Sequence, residues 1–269
     1  MGNGIAHVFA LSGYSVFLVD IKQEFLDKAL DRISLNLDRQ VDKKIIINED
    51  KVNALNSIHA TTNVYDIKDV DLIIEAIPEN YELKSSLFKQ LDSICKESTI
   101  FASNTSSISI SKLGDQTNRD DKVIGMHFMN PVPVMKLVEI IKTPNTSKGT
   151  VQNIIDIVKS MKKIPVECND YPGFVSNRIL MPMINEAIIC LEQGVASKEA
   201  IDDIMILGMA HPMGPLKLAD LIGLDVCLDI INVLFEGFED KKYKPSGLLE
   251  EMVKKGNLGR KTGEGFYKY

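Results

Sequence analysis

The chain has 269 residues, 45% of them hydrophobic and 25% charged, with 17 Gly, 10 Pro and a net charge of −6 at pH 7. That balance excludes collagen-like, low-complexity and disordered chains, and the lack of a basic stripe disfavours nucleic acid as a partner. No apolar run approaches the ~18 residues of a membrane span, and the opening MGNGIAHVFALSG lacks the basic region and cleavage site of a signal peptide.

In chain order, residues 2–11 read as a helix with Ile5, Val8 and Phe9 on one face, stopped at Ser12-Gly13. Residues 15–20 (SVFLVD) form a strand and 24–41 a long amphipathic helix. Residues 71–77 (DLIIEAI) are a fully apolar strand of the kind found at the centre of a parallel sheet. Asn80 caps a helix that places Leu83, Leu87, Leu91 and Ile94 together. Strands follow at 98–103, 123–128 and 136–141, then a helix at 151–161 and a strand at 164–168. The texture changes at DYPG (170–173). Only helices lie beyond it, at 174–192, 198–207, 216–222, 224–235 and 248–254. The first of these is apolar almost all round, and Pro182 inside it predicts a kink or a break. The pattern is α/β: a parallel, doubly wound domain over 1–169, then an all-α domain over 170–269.

Cys95, Cys168, Cys190 and Cys227 are far apart and form no C-x-x-C, so they read as reduced thiols of a cytoplasmic protein. With four His and no H-E-x-x-H, a metal site has no support. Three constellations could carry chemistry. Gly2-Asn3-Gly4 opens the first helix and Asp20 ends the next strand, as a dinucleotide fold requires for a pyrophosphate and a ribose hydroxyl; Asp20 would repel a 2′-phosphate and so favour NAD over NADP. The full G-x-G-x-x-G is absent, so on these residues alone a capped helix and a strand-end Asp are the better reading. His127 ends VIGMHF and Glu139 lies in MKLVEII, with Pro133 midway, six residues from each. Strands folding back there would face His127 with Glu139, fixing the imidazole's tautomer and favouring its charged form. That is the arrangement of a general base and its orienting partner, although a purely structural pair remains open. Ser103-Asn104-Thr105-Ser106-Ser107 follows an apolar strand, where hydroxyls can reach a ligand or simply cap a short helix.

ASNTSS (102–107), GMHFMNPVPVMKLVEII (125–141), DYPGFVSNRIL (170–180), HPMGPLKLADLIGLD (211–225) and GRKTGEGFYKY (259–269) together resemble the 3-hydroxyacyl-CoA dehydrogenase family over nearly the whole chain. The resemblance implies a Rossmann-like NAD-binding domain, a helical C-terminal domain for substrate and dimerisation, and an NAD-dependent oxidoreductase of fatty-acid and butanoate metabolism. It implies His127 as acid/base at the 3-hydroxyl of an acyl-CoA substrate, Glu139 as its orienting partner, and Ser106 and Asn177 as hydrogen-bonding groups around the reacting centre. Asn130 would lie beside nicotinamide and substrate. Glu79 and Lys84 match contacts to the cofactor's ribose, Lys261 another cofactor-side lysine, Gly2 the last fingerprint glycine, and Lys43 a contact to coenzyme A. The resemblance also implies a homodimer.

Family members open with a strand and a complete glycine fingerprint, whereas this chain reads Met1-Gly2-Asn3-Gly4. The sequence therefore predicts a doubly wound sheet without its first strand, an N-terminally truncated domain, weak NADH binding and lower stability. A non-catalytic protein that binds acyl-CoA weakly or merely dimerises is the alternative. An NAD-linked dehydrogenase of a free carboxylate substrate is a third reading.

Overall fold

In the computed structural model, which describes all 269 residues, the chain divides into two units, Met1–Asp170 and Tyr171–Tyr269. The first begins with α1 (Gly2–Leu11), β1 (Val16–Val19), α2 (Gln23–Asp42), α3 (Asn48–Asn56) and β2 (Ile58–Thr61). It continues through β3 (Leu72–Glu75), α4 (Tyr81–Ile94), β4 (Ile100–Ser103) and α5 (Ile110–Gly114). β5 (Val123–Phe128), β6 (Leu137–Lys142), α6 (Lys148–Ser160) and β7 (Ile164–Asn169) complete it.

The strands form two sheets. β1 pairs in parallel with β2, and a separate sheet has the order β3-β4-β5-β6-β7. β3, β4 and β5 run parallel, β6 returns antiparallel to β5, and β7 runs parallel to β6. Every residue of β4 and β5 is buried, because both strands have neighbours on either side and helices over them. The apolar strand read as central, β3, is instead an edge of its sheet. It pairs only with β4, no strand precedes α1, and Leu72, Ile73 and Ile74 stay half-buried. One helix serves both sheets. Ile5, Val8 and Phe9 of α1 join a core with Ile124, Met126 and Phe128, while Ala6 and Ala10 pack with Ile33, Leu37 and Ile58. α3 is largely polar, which hides it from periodicity; its start is secured by Asp50, whose carboxylate accepts the Ile47 N–H at 3.0 Å.

The second unit contains α7 (Ser176–Glu192), α8 (Lys198–Met209), α9 (Pro215–Ile222), α10 (Leu224–Phe238) and α11 (Gly247–Lys254). Ile184, Ile188, Leu216, Cys227, Leu234 and Leu249 fill its core. α7 continues through Pro182 as one helix, so of the kink or break expected there the break does not occur; Met181 and Ile184 are buried on one side and Ile179 is exposed on the other. The tail closes on Asp220, whose carboxylate accepts the N–H groups of Phe266 and Tyr267 at 2.9 Å. A Cβ on Gly265 would fall 2.0 Å from Asp220 Oδ1, so the glycine of KTGEGFY is the condition for that closure. All four cysteines are free, Cys95 and Cys227 buried and the others half-buried. No helix is long and apolar enough to cross a membrane.

α1 itself carries a buried imidazole. His7 is 1% exposed, and its ring nitrogens and the Oε1 of nearby Gln40 make no hydrogen bond. Burial lowers the His7 pKa below its ordinary 6.5, Gln40 opposes this and the Lys163 charge adds to it. The unfolded chain therefore takes up the proton more readily, so this contribution to stability is complete above pH 6.5 and is lost as pH falls below it. His7→Leu is expected to flatten the decline of the urea midpoint between about pH 7.5 and about pH 5.5. An unchanged slope in that variant would contradict the assignment.

Candidate active site

β5 and β6 fold back through a turn centred on Pro133, and their register sets His127 directly opposite Glu139, as the spacing about that proline predicts. The His127 Nδ1 lies 2.7 Å from Glu139 Oε2. His127 is 9% exposed and Glu139 is more buried still, so the pair sits where charge is weakly screened. Its register is held on three counts. The neighbouring pairs Met126–Ile140 and Phe128–Val138 are fully apolar and buried. Gly125, opposite Ile141, has no room for a side chain: a Cβ there would lie 2.7 Å from that of Ile141. Lys163 staples the turn, its ammonium donating to the carbonyls of Val132 at 2.6 Å and Met135 at 2.7 Å, and burial lowers its pKa.

The second part of the site is the loop from Ser103 to Ser107. Asn104 ties it to the histidine strand, its Oδ1 accepting the Phe128 N–H at 2.9 Å. Glu79 gathers its crown: Oε1 accepts the successive N–H groups of Ser106 and Ser107 at 2.9 and 3.0 Å, and the Thr105 hydroxyl. Burial works against the Glu79 charge, but the Thr105 hydroxyl, Lys84 and the Ser107 and Ser106 groups outweigh it and hold the carboxyl below its usual range. Lys84 is 1% exposed, bonded to Glu75 at 2.7 Å and to Glu79 at 3.2 Å. Beyond the loop, Asp170 caps α5 by accepting the N–H of Ser111 and the hydroxyls of Ser109 and Ser111.

Several groups suited to a dinucleotide lie at the carboxyl ends of parallel strands in this unit. The first turn of α1 has no side-chain cap and no acid, so its N–H groups favour an anion. A Cβ on Gly2 would make only an ordinary contact with the Ala76 Cβ at 3.7 Å, so packing does not by itself require a glycine there. Asp20 is exposed at the end of β1, and the Glu79 side chain keeps 36% of its surface open. These residues match the chemistry of NAD: amide dipoles for phosphates and carboxylates for ribose hydroxyls.

The remaining expected residues lie in both units. Asn130 is exposed at the start of the turn, ahead of a cis bond to Pro131. Lys43 is exposed just past α2. In the second unit, Asn177 is buried in the first turn of α7, and Lys261 is ion-paired with Asp225 at 2.5 Å. Three polar residues that build the site escape pattern reading: Glu75, Lys163 and Asp170. Only Glu75 carries a signal, as a lone acid inside the apolar run LIIEAI.

Residues 1–171 match the family model described as 3-hydroxyacyl-CoA dehydrogenase, NAD binding domain, and residues 173–269 the one described as 3-hydroxyacyl-CoA dehydrogenase, C-terminal domain. A probable 3-hydroxybutyryl-CoA dehydrogenase of Deinococcus radiodurans is 54% identical over 269 residues, covering 100% of this chain and 96% of its own. The 3-hydroxybutyryl-CoA dehydrogenase of Clostridioides difficile is 52% identical with the same coverage. The crystal structure of (S)-3-hydroxybutyryl-CoA dehydrogenase from Ralstonia eutropha superposes with a TM-score of 0.97 at 49% identity, over 100% of this chain and 95% of that one.

The close approach at Gly125 yields a prediction. Gly125→Ala is expected to cost about 1–3 kcal/mol by overpacking against Ile141, read as a lower urea midpoint at unchanged m-value. Wild-type stability in that variant would mean that the strands are not held at this separation.

Proposed function

The chain belongs to the 3-hydroxyacyl-CoA dehydrogenase family, and from that premise we propose how its buried His–Glu pair works in the interconversion of 3-hydroxyacyl-CoA and 3-oxoacyl-CoA, with the 3-hydroxybutyryl thioester as substrate. The carrying observation is the 2.7 Å contact between His127 Nδ1 and Glu139. A carboxylate accepting from Nδ1–H leaves the Nε2 lone pair as the basic site. His127 therefore takes the proton of the 3-hydroxyl at Nε2 during oxidation and returns it during reduction. Bound NAD supplies the hydride acceptor for C3. The imidazolium formed when His127 holds the proton is stabilised by the buried Glu139 charge at the moment it appears. Such a positioned base accounts for about 10²–10⁴ in rate.

Ser106 and Asn177 serve as hydrogen-bonding groups to the substrate around the reacting carbon, and Lys43 as a contact to its coenzyme A portion. Gly2 and Asp20 serve the phosphate and ribose of the cofactor, with Glu79, Lys84, Asn130 and Lys261 on its nicotinamide side. Relatives aligned end to end with this chain favour the enzyme over a weakly binding, non-catalytic protein. Four free thiols suit a reducing compartment, and we place the protein in the cytoplasm. A homodimer through the helical unit belongs to the same reading, supported by the exposed Ile204, Leu207 and Met209 of α8.

The test is NADH oxidation by the 269-residue chain with acetoacetyl-CoA. Turnover is expected with the thioester and none with free acetoacetate, and the same assay addresses the weak cofactor binding expected from the short glycine run. Equal rates on both substrates would favour a carboxylate dehydrogenase. Glu139→Gln is expected to lower kcat by about 10²-fold or more, because the imidazolium loses its counter-charge. An unaltered kcat would remove Glu139 from the mechanism.

A further inference from the structure

Lys163 directs a buried charge at uncharged partners. It is 8% exposed, and its ammonium donates to two main-chain carbonyls, of Val132 at 2.6 Å and of Met135 at 2.7 Å. Burial lowers its pKa, with no neighbouring acid acting the other way. An apolar side chain of similar length would avoid that desolvation, so stability alone is a poor account of the lysine. Its placement shows what it holds. The anchor is firm, because the Lys163 N–H donates to the Val158 carbonyl of α6 at 3.2 Å and the Ile164 N–H to the Lys136 carbonyl at 2.8 Å.

The target is the turn between His127 and Glu139. Inside it the Pro131 carbonyl accepts the N–H groups of Val134 and Met135, both at 3.0 Å. The ammonium adds a second tie across the same turn, from Val132 to Met135. α1 rests on this turn, where a Cβ on Gly4 would lie 3.0 Å from the Val132 Cβ. His7, three residues on and on the same face of the helix, feels the Lys163 charge. Three parts therefore meet at Lys163: the hairpin of His127 and Glu139, the turn that begins at Asn130, and the start of α1.

We propose that Lys163 is a positioning residue for the hydride-transfer step, a buried staple that holds Asn130 and the start of α1 at a fixed offset from His127. It acts through the turn and not by contact with a ligand. This rests on the reading of His127 as the acid/base and of Asn130 as a nicotinamide-side group. Turnover by the unmodified chain tests that reading, while the order of the turn is measured without ligand, so each can fail alone.

The experiment compares the unmodified chain with Lys163→Met and Lys163→Arg. Amide hydrogen exchange at Val134 and Met135 is read on the ligand-free protein, and kcat and KM are read with acetoacetyl-CoA. In Lys163→Met, which keeps the length and removes the donors, exchange at both amides is expected to accelerate at least ~10-fold. The variant's kcat is expected to fall by about 10-fold or more, with KM for the thioester within about 2-fold of wild type. Should Lys163→Met fail to fold, Lys163→Arg, which retains N–H donors for the carbonyls, decides by the same rule: exchange and kcat change together or not at all. Three results would overturn the proposal. Wild-type exchange in Lys163→Met means that the lysine does not hold the turn. Faster exchange at unchanged kcat and KM marks a structural staple alone. A loss carried by KM at unchanged kcat marks contact with the substrate instead.

Discussion

The pairing of β5 with β6 is the constraint from which the chemistry of this protein follows. Side chains on a strand alternate faces, so a slip of one residue would send Glu139 to the opposite side of the sheet from His127. The chain guards against that slip with buried apolar pairs on both flanks, with a glycine at Gly125 that admits only the observed approach of Ile141, and with Lys163 holding the turn by its carbonyls. Each is a packing or hydrogen-bonding device far cheaper than the error it prevents. The 2.7 Å contact between imidazole and carboxylate is their result.

Around that pair the first unit uses charge in an unusual place. Glu75, Glu79 and Asp170 all point their carboxylates at backbone N–H and hydroxyl groups of one connection, from Ser103 to Ser111. A loop at the end of a sheet has many amides that no ladder satisfies, and a carboxylate can accept several of them at once. Held this way, a run of small residues gains the hydrogen-bond partners that a sheet ladder would otherwise supply. The same principle recurs in the second unit, where Asp220 gathers the N–H groups of the tail and Asp202 those at the start of α9.

What could be read along the chain, and what could not, divides by distance in sequence. His127 and Glu139 lie in adjacent strands of a hairpin, so their meeting is a matter of counting from Pro133. The start of α4 was legible for the same reason, since Asn80 accepts the N–H of Leu83, three residues on. By contrast Glu75 meets Ser103, Glu79 meets Ser106 and Asp170 meets Ser111 across gaps that no local rule spans. The place of β3 also escaped: LIIE has the composition of a central strand, but a strand's neighbours depend on which other strands the sheet contains. At Pro182 the local preference for a break yields to the packing of Met181, Ile184 and Ile188, and the helix continues.

Sequence alone determined the division into an α/β and a helical part, the histidine with its glutamate, and a set of motifs dense enough to mark the family. These are written in short-range patterns: alternation, turn residues and fixed spacings, which act over a few residues and need no partner elsewhere. Tertiary structure decided which strands are edges and which polar side chains brace the site. It also placed Lys84 in the interior, ion-paired with Glu75. Burial and long-range hydrogen bonds exist only once remote segments have packed together, and a side chain's chemistry is set by the partners that packing supplies.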